Sequence, residues 1–421
     1  EVKASPGLST TGTVKDHPAG NTLSDFAIPD GQNLDDLKNI KIDGSYPTIT
    51  NVTSTKSDGT YGIGEVIPIN VTFSEDVTLA NGTLDLVLNH GNNSNSKISV
   101  ATFSGSSSAS QNYTVAAGDT TNDLNHSSIS LSASNTTLKD GGNNAIQSFA
   151  PTSATLGTYK ALKIAGNRPT IMKIRSTKSA GYYKVGEDIP IEIYFSEAVT
   201  TTSANILSAV IETGSTNSDA TLTYGAISNA TVATATYQVR ANDYNPSLSI
   251  NSIAISGGQN VNDQNGNAMT STAIPSGKNL DDEIVNIFVD GVLPVDPGSA
   301  ITMATTGGNI VSGKYNDTNT GVDFTVPLQT SDASLVGGTI QMKAKIAPND
   351  WVSIGSAHTI TDANKSAGSA TISIASRPIE NDITGFADDA DIKIKCTVTD
   401  VAGNSAAVSY THLTLPTSDL V

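Results

Sequence analysis

One stretch of this chain is written twice. Gly59 to Thr78, GTYGIGEVIPINVTFSEDVT, returns as Gly181 to Thr200, GYYKVGEDIPIEIYFSEAVT. Extended back to the prolines, Pro47 to Thr78 recurs 122 residues later as Pro169 to Thr200, without a gap and with 19 of 32 positions identical. That period is far longer than a solenoid unit and suits one complete all-β domain repeated in tandem. At the usual domain size, 421 residues hold several such domains in series.

The repeat also sets the boundaries. Gly20 to Asp36, GNTLSDFAIPDGQNLDD, matches Gly266 to Asp282, GNAMTSTAIPSGKNLDD, and both run on to Asp-Gly and a proline: Asp43, Gly44 and Pro47 in one, Asp290, Gly291 and Pro294 in the other. Residues 1–46 therefore read as the C-terminal end of a truncated repeat. Full repeats follow at 47–168 and 169–293, then a divergent unit at 294–407. Proline suits such joints, because it fixes its own φ and drives its predecessor towards extended conformations.

Inside the repeat, Ile69, Val71 and Phe73 alternate with Asn70 and Thr72, the period-2 mark of a strand with one buried face. Ile191, Ile193 and Phe195 repeat the pattern, and Leu84, Leu86 and Leu88 form another strand of this kind. The divergent unit shares the habit without the sequence. Val322, Phe324 and Val326 alternate, as do Ile340, Met342 and Ala344 against Gln341, Lys343 and Lys345, and Ile392, Ile394, Cys396 and Val398 against Lys393, Lys395 and Thr397. Cys396 thus falls on the buried face as a small inert hydrophobe. No segment carries a helical period. The expectation is an all-β chain of tandem two-sheet antiparallel β-sandwiches.

Composition narrows the function. A net charge of −17 argues against nucleic acid, whose phosphates demand clustered Lys and Arg. The single cysteine excludes an intrachain disulfide, so an extracellular form must be stabilised by core burial, with metal as a candidate supplement. No stretch is long and apolar enough to span a membrane, and no signal peptide opens the chain. No phosphate loop, nucleophile elbow or His-Glu-x-x-His pair is present. His17, His90, His126 and His358 are scattered among turn residues and read as surface histidines. One Trp and few clustered Tyr offer little platform for sugar.

The residues GTY-x2-GE-x-IPI-x3-FSE-x-VT, followed by YTVAAGD (Tyr113 to Asp119) and a late D-x-x-[GN]-N-A turn, resemble the bacterial Ig-like repeats of very large surface proteins and adhesins. The divergent unit, with YNDTNTGVDFTVPL (Tyr315 to Leu328) and TVTDVAGNSA (Thr397 to Ala406), is similar to a sister Ig-like module. The resemblance implies tandem Ig-like sandwiches in a secreted or cell-surface bacterial protein, partnered by neighbouring repeats and serving mainly as non-enzymatic spacers. Its alternatives are a glycan- or protein-binding module and the accessory domains of a hydrolase. The last residues, AVSYTHLTLPT (Ala407 to Thr417), resemble a translated sequencing adapter. They carry the expectation that 408–421 are a non-native, poorly packed tail and that the natural chain continues past Ala407.

One constellation carries candidate chemistry. In an Ig-like unit the entry linker, the loop after the second strand and the loop before the last strand meet at one pole. In the first full repeat these carry Asp43, Glu75, Asp140 and Asn144, all hard oxygen ligands of the kind Ca²⁺ takes. The divergent unit offers Asp290, Asp296, Asp332, Asp400 and Asn404. The second repeat offers Glu197, Asp263 and Asn267, but Ala165 stands where the other linkers have Asp. A plainer reading remains open beside Ca²⁺: Asp and Asn in such turns hydrogen-bond their own backbone.

Overall fold

The computed structural model describes residues 15, 17–22, 29–91, 97–284, 286–296, 301–387, 390–407 and 411–414. It is mostly β, built of antiparallel sheets. Two compact units divide it, 1–167 and 168–421. The first unit has one apolar core and the second has two.

The first sandwich packs two sheets face to face. One joins Ile49–Ser54, Val66–Ala80 and Phe103–Thr114, with Thr137–Asp140 also pairing to Val66–Ala80. The other joins Lys97–Val100, Leu84–Leu88 and His126–Leu131. Alternation decides what lies between them: Ile67, Ile69, Val71 and Phe73 from one sheet and Leu84, Leu86 and Leu88 from the other are all buried. A third small sheet pairs Gly59–Tyr61 in parallel with Leu162–Ala165.

The second sandwich repeats this strand for strand. Ile171–Arg175, Asp188–Thr201, Ala230–Gln238 and Val261–Asp263 form one sheet, and Ala220–Thr223, Leu207–Glu212 and Ser249–Ile255 form the other. The register agrees in detail. Ile49 opposes Phe73 and Ile171 opposes Phe195, with a register shift just after each pair. Ile69 and Ile191 both face their cores, as the preserved alternation requires.

The long strand bends where it changes partners. Val66–Ala80 pairs with Phe103–Thr114 up to Thr72, loses register, and from Val77 also pairs with Thr137–Asp140. Asp188–Thr201 does the same between Tyr194 and Val199. Such irregularities bend a strand and re-aim its side chains. Glu75 and Glu197 lie in these bends.

The third sandwich pairs Thr302–Thr306, Gly321–Pro327 and Ser369–Ala375 in one sheet. Its other sheet runs Val352–Ser353, Thr339–Ile346, Asp391–Thr399 and Ser405–Ala407, with Thr411–Thr414 also on Asp391–Thr399. Ile340, Met342, Ala344, Ile392, Ile394, Cys396 and Val398 are buried between the sheets. Against the expectation of a poorly packed tail, Leu413 is buried in this core and opposes Ile392. A short segment with one apolar residue suffices to cover an open strand edge and fill the space beneath it. The rest of the expected tail, 408–410 and 415–421, lies outside the described residues.

Candidate metal centres

In the first sandwich Asp43, Glu75 and Asp140 converge. One carboxylate oxygen from each lies within 4.8 Å of the others, the one such group of His, Cys, Asp or Glu among the described residues. Asn144 ties the site together. Its backbone and side-chain nitrogens donate to the two Asp140 oxygens at 2.8 and 2.9 Å, and its Nδ2 also donates to the Asp43 carbonyl at 3.1 Å. Asp43 caps its own turn by accepting from Ser45 N at 3.0 Å. Space here is tight, since a Cβ on Gly142 would meet the Asp43 Cβ at 3.1 Å.

The charges feel one another. Desolvation, then Asp43 and Asp140, raise the Glu75 carboxyl above its ordinary range. Burial also works to raise Asp140, but hydrogen bonds from Asn144, Gly142 and Asn143 outweigh it and hold that carboxyl low. Asp140 is thus a fixed anion and Glu75 the group that gains most from an added cation.

The third sandwich builds the same joint from unrelated sequence. Asn404 N and Nδ2 donate to the Asp400 oxygens at 2.8 and 2.9 Å, and Nδ2 donates to the Asp290 carbonyl at 2.9 Å. Val292 N donates to Asp290 Oδ1 at 3.1 Å, as Ser45 does to Asp43. Asp332 takes the place of Glu75. It caps the short helix Ala333–Leu335 and accepts from Ser334 N and Oγ at 2.9 and 2.6 Å.

This second cluster is the more deeply buried. Asp290, Asp332 and Asp400 are 1%, 8% and 4% exposed, and Oδ2 of both Asp290 and Asp332 accepts no well-formed hydrogen bond, the Ser334 hydroxyl near Asp290 being turned to Asp332 Oδ1. A buried carboxylate oxygen left unpaired is costly. Accordingly burial, then Asp400 and Asp332, push the Asp290 carboxyl up to about 6. Burial, with Asp332 contributing, raises Asp400 too.

Asp296 behaves differently. It is exposed, it is not among the main charges acting on Asp290 or Asp400, and its own charge helps burial push the Cys396 thiol up to about 12. The second sandwich brings together Glu197, Asp263 and Asn267. Asn267 donates to Asp263 at 2.8 and 2.7 Å, and burial followed by Asp263 raises Glu197. Ala165 ends its strand without a carboxylate.

The histidine expectation needs correction: His126 and His358 are half-buried at the starts of strands His126–Leu131 and His358–Thr359. His90 is 2% exposed, not a surface loop residue. Its Nδ1 lies 3.0 Å from Asp119, and its ring stacks on Tyr113, whose hydroxyl donates to Asp119 at 2.7 Å. In the second repeat the matching Tyr237 and Asp243 are served by Arg240 instead. The Tyr-x5-Asp spacing, present in both repeats, was the available signal; the counter-ion changes, so no shared His spacing betrayed it.

Compared with known proteins, the chain matches no family model and no curated protein.

Proposed function

We propose that this chain is a non-enzymatic spacer segment of a large surface or secreted bacterial protein, Ig-like sandwiches in series whose joints are rigidified by Ca²⁺. One observation carries this reading. The same tie of Asp, Asn and linker carbonyl recurs at Asp43 and at Asp290, in sandwiches whose sequences have little in common. Asx turns alone explain Oδ1 of Asp290 but not the unpaired Oδ2 atoms of Asp290 and Asp332.

The chemistry suits a hard cation. Ca²⁺ takes six to eight oxygens in flexible geometry, so Asp43, Glu75 and Asp140 would hold one ion with water completing its shell, while Asp290, Asp332 and Asp400, whose oxygens stand further apart, would have to draw together around another. An ion at either place removes the repulsion between carboxylates and binds a linker residue to the sandwich that follows it. Small-angle scattering of the whole chain tests this. Ca²⁺ should narrow its distribution of shapes relative to chelator, and Asp43→Asn and Asp290→Asn should each undo part of the change. Identical profiles in Ca²⁺ and chelator would count against the reading.

A further inference from the structure

In a chain of net charge −17, one sheet face of the third sandwich is basic. Thr339–Ile346 and Asp391–Thr399 pair so that Lys343 opposes Lys395 and Lys345 opposes Lys393. Burial of Met342, Ala344, Ile394 and Cys396 in the core leaves these four lysines on the outer face, half-exposed. Like charges directly opposite on neighbouring strands destabilise a sheet. The fold does not demand them, since the outer positions Asn70 and Thr72 of the first sandwich are uncharged.

Among the described residues, neither Lys343, Lys345 nor Lys395 has a carboxylate within ion-pair distance. What they have instead is the chain's one tryptophan. Lys395 Nζ lies 4.4 Å and Lys345 Nζ 5.1 Å from the centre of the half-buried Trp351 ring. Each such contact is worth about 0.5–1 kcal/mol at an exposed site and leaves the charge in place. Partial burial, then Lys343 and Lys345, hold the Lys395 ammonium below the usual lysine range.

We propose that this face binds an anionic polysaccharide, one whose sugar units carry carboxylate or sulfate groups. Lysines two apart on a strand are roughly 7 Å apart and cross-strand partners roughly 5 Å, so Lys343, Lys345 and Lys395 form a flat group of point charges rather than a pocket. A polymer with a charge on each unit meets several of them at once and relieves their repulsion. Trp351 at the group's margin supplies an aromatic edge for the apolar side of a sugar ring. A protein partner fits less well, because lysine is depleted at the cores of protein interfaces and this face has no apolar anchor besides Trp351. This site lies beyond the spacer reading and does not depend on it.

Affinity electrophoresis of the whole chain, in chelator and at low ionic strength, tests the proposal. Dextran sulfate and polygalacturonate are the charged probes, neutral dextran the control. Retardation by either charged polymer and not by neutral dextran supports it, and a difference between the two names the group preferred. The double variant Lys343→Gln, Lys395→Gln should weaken binding at least tenfold, with a melting temperature unchanged or raised because a like-charge pair is gone. The proposal is overturned by any of these: no retardation by either charged polymer, equal retardation by neutral dextran, full binding by the double variant, or equally strong binding of polyglutamate or duplex DNA, which would show a response to charge alone.

Discussion

A single asparagine holds each complete joint in place. Asn404 joins the Asp400 turn to the Asp290 carbonyl inside a buried setting, so Asn404→Ala strands Oδ2 of Asp400, the Asp290 carbonyl and the Val185 N–H while its backbone bond to Asp400 Oδ1 remains. The expected cost is about 1–3 kcal/mol, read by urea denaturation. Asp290 makes a second claim at this scale. Its raised carboxyl keeps a proton in the folded state that the unfolded chain, titrating near 4, has already released. Without metal, stability should therefore fall as pH climbs from about 4 to about 6, and Asp290→Asn should flatten that slope. Denaturation midpoints across that range in chelator, compared between the parent chain and Asp290→Asn, check it; a variant whose slope matches the parent's would contradict the assigned environment.

The spacing Asp-x3-Asn at 140, 263 and 400 was legible in the sequence because its chemistry is local: the side chain meets backbone four residues away. The meeting of Asp43 with Glu75 and Asp140 was legible only through the order of the strands. His90 was not, since its burial depends on a tertiary fit against Tyr113. The lysine face was half legible. Alternation placed Lys343 and Lys395 outward, but only pairing set them opposite one another.

At the scale of elements, the long bent strands organise the first two sandwiches. Asp188–Thr201 pairs with three others and contributes Ile189, Ile191, Ile193, Phe195 and Val199 to the core. Ile193→Ala should cost about 2–5 kcal/mol, the range for truncating a fully buried aliphatic side chain. The bend between Tyr194 and Val199 was invisible to a reading of alternation, which expects one straight strand. Its physical cause is the change of partner. That change carries Glu75 and Glu197 towards the Asp140 and Asp263 turns, where their raised carboxyls register the neighbouring charge.

For the whole molecule, each sandwich has its own core, while among the described residues the joint between the second and third carries few polar contacts. Beyond the Asn404 tie to Asp290, Val185 N donates to Asn404 Oδ1 at 3.2 Å and Lys184 Nζ to the Gly403 carbonyl at 3.4 Å. An ion that binds only the folded joint adds about 2.7 kcal/mol at a hundredfold excess over its Kd, enough to dominate contacts of this kind. Calorimetric titration of the whole chain with Ca²⁺ measures the claim directly. The account predicts saturable binding, with one class of site lost in Asp43→Asn and another in Asp290→Asn, and little change in Asp263→Asn. No binding at millimolar Ca²⁺, or binding indifferent to both Asp43→Asn and Asp290→Asn, would contradict it.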